Sequence, residues 1–217
     1  MGNAVTRHLS SATHLAVIGS DIVILDAREN AYFCLAGAAT EVRVRAEGVV
    51  FDDDALAEDF DQAGFLAETP NPPRILPTTA TQDLALTVAR PVKALDLALI
   101  LGAWVTMAFS YHTLPFDRLV ARAQRGRRRA PTQKLDRGAA NLVATFERVL
   151  PWLPFQELCL YRAFLLLKIL RWRGLEARWM FGVRTWPFQA HCWLQVGDTA
   201  LDDTADRLAG FTPILAV

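Results

Sequence analysis

The sequence predicts an α+β protein in two modules, and three observations predict it. Near the start, three short β-prone runs are separated by turn-forming clusters; from Pro91 to Leu150 the pattern is helical; the C-terminal part opens with an apolar helix and then alternates as strands. At 217 residues and 52% hydrophobic content, the chain can bury one substantial core or two small ones. Basic and acidic residues balance at 23 each, but residues 1–90 hold 6 basic and 13 acidic side chains and the remainder 17 and 10. The first part is thus net acidic by about seven charges and meets phosphates with the wrong sign, which argues against a nucleic-acid role. Cys34, Cys159 and Cys192 are odd in number and widely spaced, so a disulfide framework is not expected and a reducing cytoplasm fits. The N-terminus has no apolar run long enough for a secretory signal.

Taken in order, residues 13–37, "THLAVIGSDIVILDARENAYFCLAG", read as a three-stranded antiparallel meander with turns at Gly19-Ser20-Asp21 and Asp26 to Asn30. Ala38 to Glu47 has helical composition despite β-branched Val42 and Val44, and Asp52 to Ala63 opens with acids suited to a helix start and stops at Gly64. These close a first module at 1–67. Residues 68–90 include a Pro- and Thr-rich stretch, "TPNPPRILPTTATQD", and are expected to form the linker. The second module, 91–217, begins with helices at Pro91 to Ser110, Phe116 to Ala123 and Gly138 to Leu150. Leu97 to Phe109 is an apolar run too short to span a membrane; a buried core helix is expected, and membrane contact is not. "QRGRRRAPTQK" reads as a solvated loop. "CLYRAFLLLKILRWRG" is apolar on nearly every side and meets Gly174, so it is expected as a central helix. "EARWMFGV", "HCWLQV" and "TALDD" follow as strands.

A thiol attacks as thiolate, and a helix N-terminus with a nearby imidazole favours that form. Cys159 begins the apolar helix shortly after Pro154. Among His8, His14, His112 and His191, the last is best placed, because it opens a strand just after a Pro-containing loop. Asp202 or Asp203, beyond a tight turn, could hold its second ring nitrogen, giving a Cys-His-Asp constellation. Side chains alternate across a strand, so Cys192 is expected to point away from a site that His191 faces and to serve as core packing. No CxxC or HxxxH spacing is present, and no metal site is expected.

The run "CLYRAFLLLKILRWRGLEARWMFGVRTWPFQAHCWLQVGDTALDD" resembles the lasso-peptide maturation proteases, a family of transglutaminase-like, papain-related cysteine peptidases. The resemblance rests on Cys159-Leu160, Gly174, Gly182-Val183, Phe188, Ala190-His191, Trp193 and Asp203. It departs at Cys192, where the family usually has Ala, and at about Ala163, in place of a common Ser. The family spacing favours Asp203 over Asp202. "HLAVIGSDIVILDARENAYFCLAG" is similar to PqqD-like domains, small winged-helix-like units that recognise leader peptides of ribosomally made precursors.

Together these resemblances imply a three-stranded PqqD-type domain with helices, followed by a transglutaminase-like peptidase domain with a helical lead-in. They imply Cys159, His191 and Asp203 as catalytic residues; Gln156 and Trp193 are the candidate side-chain oxyanion donors. The leader would add as a strand beside Asn30, Ala31, Tyr32, Phe33, Cys34 and Leu35. The expected function is hydrolysis of the leader-core junction of a lasso-peptide precursor in the cytoplasm. Two alternatives stand beside it, a transglutaminase-like acyl transfer and a non-catalytic leader-binding protein. No directly bound cofactor is expected; ATP enters through a partner, an asparagine-synthetase-like cyclase. The other expected partner is the precursor peptide, and no nucleic acid is expected.

Overall fold

The computed structural model describes residues 6–45, 48–71, 76–85, 91–125, 137–154 and 158–217. In chain order, β1 (Thr6–Leu9) leads into the meander β2 (Thr13–Ile18), β3 (Asp21–Asp26) and β4 (Ala31–Leu35). A short 3-10 turn, Ala38–Thr40, precedes the hairpin β5 (Val42–Arg45) and β6 (Gly48–Phe51). The helix expected over Ala38 to Glu47 is therefore not formed by its described residues, 38–45. "VRVR" alternates, and Val42 turns inward at 2% exposure, so the strand period prevails over composition. α1 (Asp54–Gln62) follows, capped by the Asp53 carboxylate accepting from the Ala55 N–H, and β7 (Leu66–Ala67) closes the sheet β5-β6-β1-β7.

Strand β3 organises the molecule. Its "IVIL" is buried on both faces: Ile22 and Ile24 pack with Val49, Phe51, Phe60 and Phe65, while Val23 and Leu25 join the main core of the C-terminal part. The continuous apolar run is the signature of a strand covered on both sides.

The Pro- and Thr-rich stretch is not wholly irregular. β8 (Gln82–Asp83) pairs in parallel with β11, Ala80 is buried, and the carbonyl of Thr78 accepts from Gln195 at 2.9 Å. Backbone groups lying along a sheet edge find partners there whatever the local composition.

The helices are α2 (Ala94–Thr113), α3 (Phe116–Arg125), α4 (Arg137–Val149) and α5 (Cys159–Trp172). The basic run Gln124 to Lys134 lies largely outside the described residues. α5 is central: Tyr161, Ala163, Phe164, Leu165, Leu166, Leu167, Ile169 and Leu170 are all buried, and Gly174 ends it at φ 73°. α2 corrects the expectation of a buried core helix. Ile100, Ala103, Met107 and Ser110 face inward, whereas Leu95, Leu101, Val105 and Phe109 are exposed. By length and composition α2 could cross a membrane.

The last strands are β9 (Arg178–Arg184), β10 (Gln189–Val196), β11 (Thr199–Ala200) and β12 (Thr212–Ala216), with the short helix α6 (Ala205–Leu208) between the last two. They form the sheet β12-β9-β10-β11-β8. The strand expected over Thr199 to Asp203 stops at Ala200, because the Asp202 carboxylate, not a backbone carbonyl, takes the Leu194 N–H at 2.8 Å. β12 escaped the sequence reading. Pro213 interrupts its pattern, which an edge strand with a register shift tolerates.

Candidate active site

The geometry follows from how β10 is paired. On one side it runs against β9, with His191 opposite Gly182 and Cys192 opposite Phe181. On the other side β11 pairs only with Gln195 and Val196, so the beginning of β10 is an open edge among the described residues. The N-terminus of α5 and the loop 201–203 occupy that edge. Backbone N–H groups two apart point the same way. Accordingly Leu194 N–H goes to Asp202 Oδ1, and Cys192 N–H goes to the Cys159 sulfur.

Cys159 is the first residue of α5, and Leu158 before it has no side chain able to cap the helix. The sulfur sits at the positive end of the helix dipole, beside N–H groups with no intrahelical partner. Its pKa is lowered to about 4. The hydrogen bond from the Cys192 thiol contributes most; burial opposes it, and hydrogen bonding and charge attraction with His191 add to the lowering.

His191 Nε2–H donates to Asp203 Oδ2 at 2.6 Å, which leaves the other ring nitrogen for Cys159. Burial acts against the imidazolium, but the bonds to Asp203 and Cys159 prevail and raise its pKa to about 9. Asp203 is pushed up by burial and brought below the ordinary carboxylate range by His191, the Thr204 N–H and Arg207. Between about pH 4 and pH 9 the site therefore holds a thiolate, an imidazolium and a carboxylate in contact. Trp193 and Phe211 pack against the imidazole, with ring centroids at 6.2 and 5.4 Å.

The structure brings Cys159, His191 and Asp203 together. Asp202, the alternative acid, points away, is 7% exposed and pins the loop to β10; burial raises its pKa to about 7. Trp193 does not supply an oxyanion donor: its indole N–H is given to Gln195 Oε1 at 2.9 Å and its ring is fully buried. Gln156 lies outside the described residues. Cys192 is core packing, as expected, yet does not turn away from the site, because α5 lies against the face of β10 that carries it. Phe211, which packs on the imidazole, lies beyond the last strand expected from the sequence.

Asn30 sits in the turn before β4 at φ 52°, and Ala31, Tyr32, Phe33, Cys34 and Leu35 form β4, the outer strand of its sheet. Tyr32 and Phe33 diverge. Phe33, 45% exposed, packs on Phe65 of the first module, whereas Tyr32 packs on Phe188 of the β9-β10 turn at 5.7 Å. The Trp186 indole N–H donates to Asp21 Oδ2 at 2.7 Å. The meander thus docks on the turn that leads to His191. Tyr32 and Tyr111 lie near both sulfurs; burial and those sulfurs raise both phenols above their usual range.

A nucleophile at a helix N-terminus, a base hydrogen-bonded to it and an acid orienting the base form the arrangement used by thiol-dependent hydrolases and acyl transferases. The chain belongs to the transglutaminase-like superfamily, whose family model matches residues 99–216. That superfamily includes cysteine-type enzymes. No curated protein and no solved structure matches the chain.

Proposed function

We propose that this protein is a cysteine peptidase that captures the leader of a ribosomally made lasso-peptide precursor and hydrolyses the leader-core junction. The observation that carries this reading is His191, held between the Cys159 sulfur and Asp203. The thiolate attacks the scissile carbonyl, and the oxyanion meets the first-turn N–H groups of α5, that of Cys159 included. The His191 imidazolium gives its proton to the departing amine as the carbon-nitrogen bond breaks, leaving a thioester. His191 then takes a proton from water, whose oxygen displaces the sulfur. Asp203 keeps the ring oriented throughout.

The outer edge of β4, unpaired among the described residues, supports capture by strand addition, in which backbone hydrogen bonds give affinity and alternate side chains give selectivity. Asn30 and residues 31–35 would receive the leader, and Tyr32 would bring it beside the cleft. By the family resemblance, the freed core passes in the cytoplasm to an ATP-dependent, asparagine-synthetase-like cyclase.

The test is mass spectrometry of the precursor encoded beside the gene after incubation with the purified protein, with and without the cyclase. Two fragments that add to the precursor plus one water support the peptidase; an amine adduct replaces it with acyl transfer. Cleavage that persists in Cys159→Ala, or an intact precursor bound by its leader under every condition, removes the assignment.

A further inference from the structure

Residues 201–203, which carry Asp203, belong to no helix or strand. Besides the His191–Asp203 bond, two bonds tie them to β10: Leu201 N–H to the Leu194 carbonyl at 2.9 Å and Leu194 N–H to Asp202 Oδ1 at 2.8 Å. Another bond runs to α5. Arg162 Nη2 donates to the Asp202 carbonyl at 2.5 Å. The same nitrogen faces both carboxylate oxygens of Glu147 on α4, at 3.0 and 3.2 Å. Arg162 follows Cys159 by three residues and shares its side of the helix. One guanidinium therefore joins the helix bearing the sulfur to the loop bearing the acid.

Stability alone gives little reason for this arrangement. Arg162 and Glu147 are 31% and 27% exposed, and a partly buried ion pair often contributes no more than apolar packing of the same volume. Burial raises the Glu147 carboxyl, and Arg162 works against that rise. Glu147 also places a negative charge near Asp203, which Arg162 offsets. What Arg162 does fix, with its guanidinium oriented by Glu147, is the spacing between α5 and the 201–203 loop.

We infer that Arg162 is a positioning residue: through the Asp202 carbonyl, and oriented by Glu147, it holds Asp203 where its carboxylate meets His191. It is hydrogen-bonded to neither the His191 nor the Asp203 side chain, and its effect reaches Cys159 through the imidazole. The inference rests on the thiolate-imidazolium reading of the site.

The test follows alkylation of Cys159 by iodoacetamide across pH, read by mass spectrometry of the Cys159 peptide in the full chain, alongside kcat and KM on the precursor. In the wild type the half-point is expected near the low value of the ion pair. Arg162→Met is expected to raise it by about one unit or more and to lower kcat by roughly 10- to 100-fold with little change in KM. Arg162→Lys recovers part of this, since an ammonium keeps the charge without the planar fork. Glu147→Gln gives a smaller rise. An Arg162→Met profile that overlays the wild type, with only a lower melting temperature, overturns the inference. Should that variant not fold, an unchanged profile in Glu147→Gln does the same. A wild-type half-point at the ordinary thiol value, roughly 8 to 9, sinks the thiolate reading itself, a separate result.

Discussion

Replacing Gly182 by Ala tests how closely the site is packed. Gly182 lies opposite His191 on β9, and a Cβ there would stand 2.8 Å from two ring carbons of Trp193 and 3.0 Å from Phe211 Cβ. Carbon atoms pack at about 3.5–4.0 Å, and neither neighbour has room to move: Trp193 is 0% and Phe211 6% exposed. Overpacking of this kind costs about 1–3 kcal/mol. At roughly 2–4 °C per kcal/mol for a chain of this size, the melting temperature should fall by roughly 2–12 °C. Trp193 and Phe211 also pack against the imidazole, so Cys159 alkylation at neutral pH should slow in the same variant. Gly210→Ala is the control, since its Cβ would meet nothing closer than Arg184 Nη1 at 3.7 Å. Thermal unfolding with iodoacetamide kinetics reads both effects. A Gly182→Ala protein that melts with the wild type, or a Gly210→Ala protein that falls as far, refutes the packing argument.

The proposed peptidase activity should be bell-shaped against pH, because the thiolate forms as pH rises past about 4 and the imidazolium that would protonate the amine is lost past about 9; a single limb centred near the ordinary histidine value contradicts the ion pair. Cys192→Ala removes the thiol donor that contributes most to the thiolate, so the alkylation half-point of Cys159 should move up, though the backbone donor remains; an unmoved half-point denies that contact. Asp203→Asn should lower kcat by orders of magnitude, whereas Asp202→Asn should leave the His191 bond in place; equal losses in the two would contradict the assignment. Asp202 also has a pH signature. Its folded pKa, about 7, lies above the ordinary 3.8, so the folded state retains a proton that the unfolded state releases, and this contribution to stability falls as pH rises across that window. Urea titrations should therefore show the wild type losing stability relative to Asp202→Asn between pH 4 and pH 7, and parallel curves would rule the shift out.

Much of this was legible where a local pattern had one outcome. "IVIL" between two turn clusters read as a strand, "CLYRAFLLLKILRW" as a central helix and "HCWLQV" as a strand; the structure has each. Where two periods competed, as in Ala38 to Glu47, pairing with the very next strand decided the outcome; where prolines masked pairing, as around Pro213 and through residues 76–85, composition misled because partners distant in sequence decided it. The part played by Cys192 was hidden for a related reason. Alternation places its side chain on the face opposite His191, but it cannot say that a helix N-terminus sits at the open strand edge and reaches both.

By itself, then, the sequence determined which side chains could react and which segments would bury themselves, because periodicity and residue chemistry are local properties. Tertiary structure alone decided that β11 stops after two residues, that Asp202 rather than a strand takes the Leu194 N–H, and that the turn before His191 is seated on the N-terminal meander. Each of these depends on backbone groups and faces far apart in the chain competing for the same partners, and that competition is settled only when the whole molecule packs.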